Sequence, residues 1–214
     1  MVGWHVLPAV YGDSRTYFFT RWTTDGYRKT GCLNKKCTGF KPGNGATIAP
    51  GDAITHVPKS PDGPRIVLNL KIVKDGVSGD WLVHCCFDEE PKLIGRFPRS
   101  LFSGGLADKA TAISFGGAVT APVADPAPPM GNGYLPISSA AASFSDVQLV
   151  DQSGHARRVM KDLSKVETRQ GTYGVSNIDD GQFFYGAKVR SGWIVMDSGK
   201  LRSPWTIGQE LPLP

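Results

Sequence analysis

Arg65-Ile66-Val67-Leu68-Asn69-Leu70-Lys71-Ile72-Val73-Lys74, followed a few residues later by Trp81-Leu82-Val83-His84-Cys85-Cys86-Phe87, is the stretch that decides the fold. Ile66, Leu68, Leu70 and Ile72 alternate with Arg65, Val67, Asn69 and Lys71, a period of two that gathers apolar side chains on one face of a strand. Asp75-Gly76 and Gly79-Asp80 punctuate the gap between the runs. Residues 65–87 therefore predict a β-hairpin whose loop exceeds the two-residue minimum. The same alternation places Thr16, Phe18, Thr20 and Trp22 on one face of an earlier strand, with Tyr17, Phe19 and Arg21 on the other. Further strands are expected at 2–11, 80–87, 92–97, 111–119, 144–151, 182–188 and 192–197. They are separated by turn signals such as Gly12-Asp13-Ser14 and Pro61-Asp62-Gly63-Pro64. At most one short helix is expected, over 98–109, opening at Pro98 and ending near Asp108 or Lys109.

The composition agrees with an all-β chain. Twenty-six Gly and sixteen Pro in 214 residues suit many short elements joined by tight turns, and one large β domain is a simpler reading of this length than two small ones. Ala121 to Pro136 reads either as a semi-rigid connector or as an ordered loop. The tail from Arg190 is polar and Pro-rich, and its last residues are expected to fray. No apolar run approaches the roughly 20 residues that span a bilayer, and the start of the sequence shows neither the basic nor the apolar region of a signal peptide. The net charge of +5 and pI of about 9.0 come from scattered cations whose densest clusters, Lys35-Lys36 and Arg157-Arg158, are only pairs. This favours diffuse attraction to polyanions over specific nucleic-acid binding.

Four cysteines fall into two kinds. Cys32 and Cys37 have a spacing compatible with a small disulfide-closed turn. A zinc site is a poor alternative, because no second ligand pair stands at finger-like spacing and His5, His56, His84 and His155 are dispersed. Cys85 and Cys86 are neighbours on a predicted strand, so they face opposite sides of the sheet and read as buried free thiols. No nucleophile elbow accompanies any histidine, and phosphate-loop, dinucleotide and EF-hand patterns are absent from the sequence. Asp13 and Asp25 stand beside turn glycines, where Asp usually bonds local backbone. Trp4, Trp22, Tyr27, Trp81 and Phe115 could line a groove that stacks on prolyl rings or sugars, although such aromatics more often fill a core.

Several segments in order carry a resemblance: Gly3-Trp4-His5-Val6, Phe18 to Tyr27, Thr30-Gly31-Cys32 with Cys37, Gly79-Asp80-Trp81, Ile94 to Pro98, Phe115-Gly116-Gly117, Met130 to Gly133 and Phe183 to Gly186. Together, over about residues 2–188, they resemble the plant neprosin domain, a family of glutamic peptidases that cut after proline. The resemblance implies an antiparallel β-sandwich over 1–189, open to N-terminal truncation, followed by a divergent extension over 190–214. It also implies a Cys32–Cys37 disulfide, plant origin and a secreted, extracellular or vacuolar location.

Such peptidases hold two carboxyls around one water, one ionised and one protonated, and neither can be replaced by a neutral group without losing its role. The family's first glutamate corresponds here to Met1, and the second to Ser114 or Ala118. The sequence has only four glutamates, Glu89, Glu90, Glu167 and Glu210. Adjacent Glu89 and Glu90 read as a solvated turn, since neighbouring side chains on an extended segment point apart. The expectation is a neprosin-type domain that has kept a cleft, with Trp4, Trp22, Tyr27 and Phe115 as candidate lining residues, but has lost hydrolysis. Its ligand would be an extended Pro-containing peptide or a carbohydrate, with no cofactor, no metal, no specific nucleic acid and no membrane. The alternative is an active peptidase working at acid pH.

Overall fold

The computed structural model describes residues 1–55, 57, 64–120, 128–161, 163–167, 171–187 and, for the backbone alone, 205–212. The expected strand at 192–197, His56, most of the turn at 61–64 and the first part of the Pro-rich stretch lie outside the described residues. The chain divides into two compact units, Met1–Ala110 and Thr111–Pro214. Among the described residues the fold is all-β, with antiparallel pairing throughout.

In the first unit, β1 (Val2–His5), β2 (Tyr17–Trp22) and β3 (Cys32–Leu33) form a sheet in that order. A second sheet has the order β4 (Lys41–Pro42), β7 (Lys92–Phe97), β6 (Trp81–Phe87), β5 (Leu68–Lys74). The hairpin that decides the fold is present: β5 and β6 pair from Leu68↔Phe87 to Lys74↔Trp81. Its loop is tied by Asp75, whose carboxylate accepts the Ser78 amide and hydroxyl. Phe18 from the first sheet and Val83, Cys85, Ile94 and Phe97 from the second are buried in one cluster, so the two sheets share a core. The expected face of β2 is the one that goes in: Phe18 and Thr20 are closed off from solvent.

Helix is more divided than expected: two short helices and a 3-10 turn are present where at most one short helix was expected. The region 98–109 holds a single 3-10 turn at Arg99–Leu101 and one helical turn, α2 (Gly105–Asp108), where one short helix was anticipated. The expected strand over 2–11 stops at His5 and gives way to α1 (Pro8–Tyr11). Pro8 sits where a missing N–H costs nothing, and Gly12 closes the turn at φ 78°, so the proline and the glycine signal this turn in the sequence.

In the second unit, β8 (Ala112–Val119) pairs with β15 (Trp205–Pro212), and β15 also pairs with β12 (Ser164–Glu167). The tail expected to fray therefore contributes a central strand, with Trp205↔Val119 and Pro212↔Ala112 as the ends of the β8 register. β9 (Ala142–Phe144), β14 (Phe183–Gly186) and β13 (Gly174–Val175) form another sheet, and β10 (Gln148–Val150) pairs with β11 (Ala156–Arg158). The core here gathers Met130, Tyr173, Val175, Phe183 and Tyr185, with Phe115, Val119 and Phe144 packed against it.

Candidate functional site

The place expected for the first acid lies at the start of β1. The Met1 backbone nitrogen donates to the Arg21 carbonyl at 2.6 Å and the Arg21 amide to the Met1 carbonyl at 2.8 Å, so the ladder extends one residue beyond Val2↔Thr20. Opposed residues share a sheet face, which puts Met1, Arg21 and Leu33 together, since Arg21 pairs with Leu33 on the other side. Met1 is 65% exposed. The Tyr27 hydroxyl stands 4.0 Å from its sulfur, and the Arg21 guanidinium lies 3.9 Å from the Tyr27 ring centre. No carboxylate of the described residues pairs with Arg21.

Tyr27 is held there by its loop. It adopts φ 66°, unusual for an aromatic residue and maintained only where surroundings over-determine it. Those surroundings centre on Asp25, whose carboxylate accepts the amides of Arg28, Lys29 and Thr30 and the hydroxyls of Thr23 and Thr30. These hydrogen bonds outweigh an opposing desolvation effect and bring its pKa down to about 2. Thr23 Oγ1 in turn accepts the Tyr27 amide at 2.8 Å. Gly31, at φ 139°, lies so close that a Cβ would meet the Tyr27 ring at 2.6 Å. The expectation that Asp13 and Asp25 bond local backbone is met in both, Asp13 accepting the Arg15 amide.

Beside this group a second set of rings is packed. His5 stacks on Phe19 with centres 4.4 Å apart, and Tyr11 stacks on Tyr17 at 3.7 Å. Asn34 is fixed by accepting the Thr20 amide and donates to the Tyr11 oxygen at 2.7 Å. The Tyr11 hydroxyl is thus left to donate to His5 Nε2, 3.0 Å away. Burial, aided by the charge of Arg21, lowers the His5 pKa to about 4, so the imidazole is neutral above that pH.

The other candidates separate. Trp4 is 41% exposed but alternates onto the opposite face of β1 from Met1. Trp22 packs into the core against Phe102, and Gly39 presses so closely on its indole nitrogen that no side chain would fit there. On β8, Ser114, Gly116 and Ala118 face outward while Ile113, Phe115, Gly117 and Val119 face inward. Phe115 meets Phe144 with ring centres 6.3 Å apart, on the opposite face from Ser114 and Ala118. Met1 belongs to the first unit and Ser114 and Ala118 to the second.

The glutamates are dispersed. Glu89 and Glu90 are exposed, and the Lys92 ammonium 3.1 Å from Glu89 holds that carboxyl below its usual range. Glu167 accepts the Val175 amide at 3.0 Å, a structural task. Glu210 occupies the β15 position directly opposite Ser114; that register comes from strand pairing and carries no signal in the sequence. Arg21 was placed on the correct strand face by alternation, but its seat on Tyr27 depends on the Asp25 loop and was not readable.

Cys32 and Cys37 are joined by a disulfide with Cα atoms 5.9 Å apart. Cys85 is buried and its thiol is pushed up to about 12 by burial; Cys86, expected to be buried too, is only partly so. Among the described residues no group of three or more His, Cys, Asp or Glu is placed to hold a metal, and no helix is long and apolar enough to cross a membrane. The family model described as Neprosin matches residues 1–188, and the chain belongs to that family. Family and disulfide together fit an extracellular protein.

Proposed function

We propose, from membership of the Neprosin family, that this chain is a non-hydrolytic binding protein of an extracellular compartment, taking an extended Pro-containing peptide or a carbohydrate. The carrying observation is the chemistry of the residues that stand where the resemblance places the family's acids, and the described carboxyls agree with it. Every described carboxyl with a resolved shift, namely Asp13, Asp25, Asp75, Glu89 and Asp151, is shifted downward. A glutamic peptidase needs one carboxyl held protonated while its partner is ionised, and none of these five is suited to that role. By the resemblance, the family's two acids would fall at Met1 and at Ser114 or Ala118, which hold a thioether, a hydroxyl and a methyl.

A second reading is favoured by one observation. Glu210 lies across from Ser114 on the paired strand, so one acid of an active pair could have moved to the neighbouring strand. The experiment that separates the readings incubates the chain with a proline-rich reporter from about pH 2 to pH 6, where carboxyl pairs are singly protonated. No turnover is expected, together with measurable binding of the uncleaved reporter or of a carbohydrate. Turnover abolished by Glu210→Gln would establish the second reading; turnover abolished by Glu89→Gln would place catalysis in the 88–91 turn.

A further inference from the structure

The charge of the chain is not evenly shared. Residues 1–110 contain fifteen Lys and Arg against ten Asp and Glu, whereas residues 111–214 contain nine of each, so the whole excess of five lies in the first unit. Within that unit Arg21, Arg28, Lys29, Lys35 and Lys36 fall within sixteen residues, on β2 and on the two loops either side of β3. Among the described residues none of these five has an ion-pair partner. The one acid among them, Asp25, already has both oxygens committed to its own loop.

We propose that this stretch of strand and loops, with Arg21 seated on Tyr27, binds a carboxylate-bearing polysaccharide, a polyuronate; the proposal rests on the binding reading above and names its ligand class. The guanidinium is planar and presents a rigid fork of N–H donors that matches a carboxylate in two parallel bonds. Stacking on Tyr27 orients that fork before any ligand arrives, which reduces the ordering cost of binding. Tyr27 itself is made rigid by the Asp25 loop and by the close approach of Gly31. The four loop cations add attraction that is spread along a line of chain, as a polymer with one carboxylate per residue would require. An extended peptide recognised through its backbone is less well served. β3, the edge strand on this side, offers only two residues of ladder and is followed at once by the disulfide loop.

The test titrates the whole chain with polygalacturonate, its methyl ester, poly-glutamate and heparin, in low and moderate salt. Polygalacturonate is expected to bind and the methyl ester not to. Arg21→Ala should weaken binding about tenfold or more, and Arg21→Lys should fail to restore it because a point charge lacks the fork. The double variant Lys35→Gln, Lys36→Gln changes only exposed loop cations, and it should weaken binding about threefold without altering the thermal midpoint. Equal binding of heparin, unaffected by Arg21→Lys, would reduce the face to diffuse charge and overturn the proposal. Tighter binding of poly-glutamate would replace the polysaccharide by an acidic peptide. Binding of the proline-rich reporter with no binding of polygalacturonate would overturn this inference alone, whereas binding of neither would overturn the binding function with it.

Discussion

Met1 on β1 and the Ser114–Ala118 stretch of β8 both carry neutral side chains, yet their surroundings have little in common. Around Met1 stand a guanidinium, a tyrosine hydroxyl and a loop whose carboxylate is saturated with backbone donors. Ser114 and Ala118 stand on the outward face of a strand that alternates regularly between outside and inside. A place embedded in fixed polar groups constrains what can replace its side chain, whereas an open strand face tolerates most residues. At β1 the fixed polar groups surround the exposed position itself, whereas on β8 the packed residues are Phe115 and Val119, on the face opposite Ser114 and Ala118.

The largest effects should come from the layers beneath the two places. Phe18→Ala removes a fully buried ring under the β1–β2 sheet and should cost about 3–5 kcal/mol. Phe115→Ala, on a partly exposed ring, should cost somewhat less, on the order of 2–3 kcal/mol. Urea titrations of both variants check this. Equal losses at Phe115 and at Ser114→Ala would break the inside–outside assignment of β8.

Next in size is Gly31→Ala. The methyl would enter the Tyr27 ring and the backbone would be forced to keep a positive φ, costing on the order of 2 kcal/mol. The same change should blue-shift and quench the Tyr27 contribution to near-ultraviolet dichroism as the ring leaves Arg21. A neutral outcome on both measurements would mean that the loop is softer than its hydrogen bonds indicate.

A pH titration sharpens the contrast further. His5 has a folded pKa of about 4, below its ordinary 6.5, so the unfolded chain binds more protons between those values. Its contribution to stability is complete above about pH 6.5 and is lost as the pH falls toward 4. After discounting for partial exposure the loss is on the order of 1–2 kcal/mol. Asp25 works the same way lower down: its contribution is full above pH 3.8 and fades as the pH falls toward 2. His5→Gln should flatten the stability profile between pH 4 and 6.5 and leave the lower step in place.

How much of this was legible depends on element length and on what holds each residue. The strands at 16–22 and 65–74 were readable because their residues alternate, and those at 80–87, 92–97 and 111–119 are each six or more residues long in the structure. Cys32–Leu33, Lys41–Pro42 and Gly174–Val175 are two residues long and display none. Trp205–Pro212 is broken by Gly208 and ends on Pro212, and its pairing with β8 and β12 makes it a strand. Trp22 and Tyr27 were equal candidates by residue type. Gly39 and Phe102 draw the first inward, while the Asp25 network turns the second out toward Arg21. Such contacts join residues far apart in sequence or through side-chain hydrogen bonds, which periodicity does not encode.

The smallest effect tests the comparison most directly. Met1→Glu, made with an initiator methionine placed ahead of it, sets a carboxylate across the ladder from Arg21, where an opposite-charge cross-strand pair contributes about 0.2–1 kcal/mol. Ala118→Glu places the same group on the outward face of β8, opposite Thr206 in the register, with no cation at that position to receive it. The first variant should be slightly stabilised at pH 7, with the gain shrinking in 1 M salt as screening takes hold; the second should be neutral or slightly destabilised. Met1→Glu should also compete with a polyuronate for the Arg21 fork and weaken its binding, while Ala118→Glu leaves that binding unchanged. Thermal midpoints and titrations of both variants in low and high salt decide the matter. Identical behaviour of the two would show that the guanidinium on Tyr27 gives the Met1 place no special affinity for a carboxylate.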